Sequence, residues 1–190
     1  MQPIFTIHAG EYLVGSHIEQ NLQDAFGNKL HVWVPSKDTG IDLFLTNHDN
    51  SKTATIQVKF SKDFLVTHGR PEYQEKLISC GWWTLNREKI KKSPADYWIF
   101  VLHTFNQKNM QYVIITPEEL NSRLHNLHPN LKYIQGYLWV TSDQKCWETR
   151  GLKKNQTNAI VQGTYADDDK DARDFTSYLN NWESIINQLS

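Results

Sequence analysis

The chain has 190 residues, 39% hydrophobic and 22% charged, an ordinary globular composition that suits one domain, residues 1–190, with a single core. A formal net charge of −1 argues against nucleic-acid binding by bulk charge alone, although a local basic face can coexist with a neutral total. No run of about 18 apolar residues occurs, so no membrane span is expected.

Gly10 to Ala25 reads as a helix, with Leu13, Val14, Ile18 and Leu22 at helical spacing and Gly27-Asn28 as its stop. Three extended segments follow. Leu30–Val34 closes at Pro35, Ile41–Thr46 ends in the turn-rich Asn47–Ser51, and Thr53–Phe60 alternates with Ala54, Ile56 and Val58 on one face. Glu72–Leu85 reads as a helix that Gly81 interrupts. Tyr97–Thr104 and Gln111–Ile115 are strongly apolar strands, and Thr116-Pro117-Glu118-Glu119 opens a helix. Tyr133–Val140 is extended, and Lys153–Asn158 is the best loop candidate of the second half. After the acidic run Asp167–Asp171, a final helix is expected to carry Phe175, Tyr178, Leu179, Trp182, Ile185, Ile186 and Leu189 on one face. The sum is a mixed sheet flanked by helices, α/β or α+β.

The chemistry concentrates between Gly10 and Lys62. Asp42 sits inside an apolar strand, where an acid is costly unless paired or metal-bound. Fifteen positions on, Gln57 and Lys59 are two apart on the next strand and so share a face, opposite Ile56, Val58 and Phe60. If the two strands pair, Asp42 converges with both. Asp42 would then hold Mg²⁺ (or Mn²⁺), with the Gln57 side-chain oxygen or the Val58 carbonyl as a neutral ligand. Lys59 would position or activate a water and stabilise developing negative charge. Glu11 offers a second carboxylate from the first helix.

Gly10-Glu11, Gly40-Ile41-Asp42 and Ile56-Gln57-Val58-Lys59, in this order, resemble the PD-(D/E)xK nucleases. The glutamine in place of the second acid is similar to the Mrr-like restriction endonuclease branch, and the helix-strand-strand-strand order to archaeal Holliday-junction resolvases. The resemblance covers about a third of the chain. It implies a restriction-endonuclease-like mixed sheet between helices, with Glu11, Asp42, Gln57 and Lys59 as site residues, Mg²⁺ as cofactor and DNA as substrate. RNA stays open as a substrate. A homodimer, common among such enzymes for cutting both strands, is also implied.

Each residue also has a plainer reading. Asp42 at a strand edge can cap a turn, Lys59 can be a solvated edge lysine, and Glu11 can answer the dipole of a helix N-terminus. Lys62 and Arg70 are loop cations within reach of phosphate or of water alone. Lys91 and Lys92, in the basic run Arg87–Lys92, and the cluster Arg150, Lys153 and Lys154 are phosphate-contacting patches or solvated helix ends. Trp82-Trp83 fits core packing better than base stacking. Gln74 is a neighbour on the following segment. The eight histidines show no zinc spacing. Cys80 and Cys146 are too few and too far apart for a disulfide framework, so reduced thiols in a cytoplasmic setting are expected. Met1–Ala9 lacks the form of a signal peptide.

Two readings compete: a Mg²⁺-dependent endonuclease, as in restriction or phage defence, and a silent nuclease-fold module that binds nucleic acid or protein. An open cleft over Asp42, Gln57 and Lys59 favours the first.

Overall fold

The computed structural model describes residues 4–37, 39–69, 71–104 and 109–190. Alternation in Thr53–Phe60 makes the strand around which the rest is arranged, β3, numbering after β1 (His31–Trp33) and β2 (Leu43–Thr46). A tight turn, with Asn50 at φ 58°, folds β2 back antiparallel to β3, and β1 pairs β2 at the edge. On its other side β3 runs parallel to β5 (Tyr97–Thr104), which pairs antiparallel with β6 (Asn109–Ile115). The order is β1-β2-β3-β5-β6. In β5 all residues but His103 are buried, because both sheet faces are covered there, and this explains its unbroken apolar run.

One face is closed by helices α1 (Ile4–Asn21) and α7 (Glu183–Leu189). Val14 and Ile18 of α1, and Ile185 and Leu189 of α7, pack with Ile56, Val58 and Ile99. Gly10 permits the close approach of α1, since a Cβ there would lie 2.7 Å from the Cβ of Phe60. The opposite face meets a second, antiparallel sheet of β4 (Leu77–Asn86), β7 (Tyr133–Thr141) and β8 (Cys146–Glu148), in the order β4-β7-β8. Trp83, Leu85, Ile134 and Leu138 pack there on Trp98, Phe100 and Val113, joined by Leu120 and Leu124 of helix α4 (Pro117–Leu127). Thr116 caps α4, its hydroxyl accepting from the Glu119 N–H at 3.2 Å. The architecture is α+β, as the sequence predicts.

Several expected elements take another form. The first helix runs from Ile4 to Asn21 rather than from Gly10 to Ala25, and Gly27 (φ 82°) lies in the turn beyond it. Glu72–Leu85 is not a helix: a short α2 (Pro71–Lys76) gives way to β4. The reason is long-range pairing with β7 and burial on both faces of the second sheet. Trp83 and Leu85 enter the inter-sheet core, while Leu77 and Cys80 pack with Tyr73 and Trp139. Arg87–Lys91 forms helix α3, with Asn86 capping it through the N–H groups of Glu88 and Lys89. Lys153–Asn158 is not a loop, since Lys154–Val161 forms α5.

The last helix is broken into α6 (Lys170–Arg173), a 3₁₀ turn at Thr176–Tyr178, and α7. Bridges from Asp174 to Trp147 and from Leu179 to Val113, with Asn180 at φ 51°, hold the chain extended between these pieces. Its apolar residues therefore do not share one face. Phe175, Tyr178 and Leu179 enter the inter-sheet core, whereas Trp182, Ile185, Ile186 and Leu189 enter the core under α1. Both cysteines are buried and free. Among the described residues no helix is long and apolar enough to cross a membrane.

Candidate active site

The second sheet and α3 leave one end of the large sheet uncovered, and an open cleft of about 1100 Å³ lies there. Asp42, Gln57, Val58 and Lys59 all line it. Gly40, at φ +86° and with its Cα side against Pro94, makes the left-handed turn that leads the chain into Asp42. The Asp42 N–H donates to the Ile56 carbonyl at 2.8 Å, carrying the β2–β3 pairing past the end of β2. Beyond that point the main chains part, and the Asp42 side chain takes over. Its Oδ2 accepts from the Val58 N–H at 2.7 Å and from the Gln57 amide. In a strand the N–H and C=O of one residue face the same edge, so the Val58 carbonyl is directed to this edge as well.

Gln57 and Lys59 project from the face of β3 opposite Ala54, Ile56 and Val58. The Lys59 Nζ lies 5.0 Å from the centroid of the Trp98 ring on β5, a cation–π distance. Trp98 is fixed in turn by its Nε1, which donates to the Ser93 hydroxyl at 2.8 Å. Lysines 59, 89 and 92 face acids 42 and 88 around the cleft. Its lining is therefore cationic in balance while the whole chain is at −1. The Glu88–Lys92 pair at 3.8 Å is solvent-exposed and holds little.

The other expected site residues lie apart. Glu11 does not line the cleft, and its carboxylate is 3.2 Å from His8 Nδ1 on the same helix. Of the basic candidates, Lys92 lines the cleft, and Lys91 lines a smaller depression with Asp96 and Glu118. Lys62, Arg150, Lys153 and Lys154 are exposed and outside it, as is Gln74, and Arg70 lies outside the described residues. Trp83 is buried against Phe100, and Trp82 packs on Phe64, so neither faces the cleft. Sequence reasoning missed Asn86, Trp98 and Tyr133 as cleft residues, and placed Lys89 only within the basic run Arg87–Lys92. The cap signal of Asn86 before Arg87-Glu88-Lys89 was available, but the β4–β7 pairing that brings Tyr133 opposite Asn86 was not.

Among the described residues, no group of three or more His, Cys, Asp or Glu side chains could hold a metal. The oxygen donors here are of another kind: one carboxylate (Asp42), one amide (Gln57) and one main-chain carbonyl (Val58). Such hard donors suit Mg²⁺, which commonly takes one or two carboxylates and completes its shell with water and substrate phosphate.

A second acid is held very differently. Glu148 of β8 is 1% exposed. Its Oε2 is 2.9 Å from Arg173, and its Oε1 accepts from the N–H groups of Tyr137 and Arg150 at 3.2 and 3.0 Å. Burial pushes its carboxyl up to about 7, against the opposing pull of Arg173 and those N–H groups. Arg173 also binds Asp169 at 2.5 Å.

Compared with known proteins, the chain matches no family model, no curated protein and no solved structure.

Proposed function

We propose that this chain is a metal-dependent endonuclease of PD-(D/E)xK type that hydrolyses DNA phosphodiester bonds. The observation that carries the reading is the convergence of Asp42, Gln57, Val58 and Lys59 on the floor of one open cleft, with Asp42 bonded to the Val58 N–H at 2.7 Å. Asp42, the Val58 carbonyl and the Gln57 amide oxygen would hold the Mg²⁺ or Mn²⁺. When bound, the ion supplies a water of lowered pKa and neutralises charge on the phosphate. Lys59 orients that water and stabilises the charge that develops on the phosphoryl oxygens, and the Trp98 ring steadies its ammonium. Lys89 and Lys92 attract the phosphate backbone at the rim. Glu11 would act only through water or a movement of α1. A homodimer would let two such clefts cut both strands. The two buried, free cysteines agree with a reducing, cytoplasmic setting.

A silent nucleic-acid- or protein-binding module is the second reading. The single carboxylate of the donor set, already accepting two hydrogen bonds at Oδ2, favours it. Incubation of the purified chain with plasmid DNA in Mg²⁺, Mn²⁺ or EDTA separates the two. Cleavage that needs the divalent ion supports the enzyme. No cleavage of DNA or RNA in either metal overturns it in favour of the module.

A further inference from the structure

We propose that Tyr133, at the mouth of the cleft, is a stacking platform for an unpaired nucleobase, so that the preferred substrate is DNA with a single-stranded segment. The inference rests on the nuclease reading above. Tyr133 is 57% exposed, so its ring is open to solvent, and it lines the same cleft as Asp42 and Lys59. Its position is rigid: it pairs with Asn86 across β4–β7, and the Arg87 N–H donates to the adjoining Lys132 carbonyl at 3.0 Å.

The chemistry around the ring is that of a single-strand site. The Lys132 Nζ lies 5.6 Å from the ring centroid, and Lys89 and Lys92 face the same space. An exposed aromatic flanked by lysines combines a surface for a base with charges for its phosphates. A ring can stack only on a base whose face is free, which a base inside a duplex does not offer. The cleft, at about 1100 Å³, is near the size of small-molecule pockets of roughly 300–1,000 Å³, room for a short stretch of one strand.

Binding measured without cleavage tests this. Fluorescence anisotropy in EDTA compares labelled single-stranded, overhang-bearing and blunt duplex oligonucleotides on the wild type, Tyr133→Ala and Tyr133→Phe. The expected result is tighter binding of the single-stranded and overhang forms than of the blunt duplex. Tyr133→Ala should lose about 5- to 150-fold on those forms, the span of stacking one base, with little change on the blunt duplex. Tyr133→Phe should retain wild-type affinity, which separates lost stacking from misfolding. Equal affinities for Tyr133→Ala and wild type, or equal loss on all three forms, overturn the platform while leaving the nuclease reading intact. Wild-type protein that binds none of the oligonucleotides in EDTA also overturns the platform, while the nuclease reading stands or falls on plasmid cleavage in Mg²⁺ or Mn²⁺.

Discussion

Asp42 and Glu148 are both acids of the sheets, placed in opposite circumstances. Asp42 stands at the head of β2 on the floor of an open cleft, held by a backbone N–H and a neutral amide. Glu148 is 1% exposed in β8, with one oxygen against a guanidinium and the other taking two backbone N–H groups. Its pKa is strongly raised, yet both its oxygens are engaged, one by Arg173 of α6 and the other by the Tyr137 and Arg150 N–H groups. The perturbed pKa thus belongs to a structural lock here, while the acid on the open cleft, lined also by Lys59, is the one we propose for chemistry.

The lock is where the largest change in stability is expected. Above about pH 7, where Glu148 is ionised, Arg173→Ala leaves it buried without its cation, at a cost of about 3–5 kcal/mol. Urea unfolding should register this loss, and the folded fraction should cleave DNA at the wild-type rate. A loss under about 1 kcal/mol would mean that the pair is not a lock.

Next in size is the pH response of Glu148. Its folded pKa of about 7 lies above its ordinary value of 4.5, so the native state keeps a proton that the unfolded chain releases. The contribution is fully present below about pH 4.5 and is lost as pH rises through 7, at most about 3 kcal/mol in all. His17, His68 and His128, held below the usual histidine value chiefly by burial, act with the opposite sign through about pH 6.5. The difference between wild type and Glu148→Gln isolates the carboxyl: it should shift against the wild type between pH 4.5 and 7. A difference that stays constant across that window contradicts the raised pKa.

A smaller effect is expected where α1 meets β3. Gly10→Ala places a Cβ 2.7 Å from that of Phe60, so α1 must shift, at about 1–3 kcal/mol. A thermal midpoint equal to wild type would show that the helix yields freely.

The smallest effects belong to the surface cations. Lys89→Ala and Lys92→Ala should each lower the salt slope of DNA binding by about 1, and Lys153→Ala and Lys154→Ala should leave it unchanged. The reverse pattern would move the DNA path away from the cleft.

The legible parts of this molecule were those set by local pattern. Thr53–Phe60 alternates because one face is core and the other cleft, and Tyr97–Thr104 is an apolar run because both its faces are covered. Both strands have the bounds that the sequence predicts. Asp42, Gln57 and Lys59 were legible for the same reason, since strand parity and a short turn suffice to bring them together. Leu77–Asn86 was not legible, because its partners in Tyr133–Thr141 are 47 to 64 residues away and nothing local chooses strand over helix. Tyr133 joined the site by that same pairing. The C-terminal segment misled because its apolar spacing fits one helix, while Arg173 and Asn180 pin it to two different strands.

On the proposed reading, the cleft acid and lysine serve chemistry rather than folding. Single-turnover plasmid cleavage in Mg²⁺ or Mn²⁺ by Asp42→Ala and Lys59→Ala, read beside their unfolding midpoints, tests it most directly. A fall of about 10²- to 10³-fold is expected for Lys59→Ala, as for removing one group that stabilises transition-state charge. At least as large a fall is expected for Asp42→Ala, with both midpoints near wild type. Cleavage retained by both variants would contradict it.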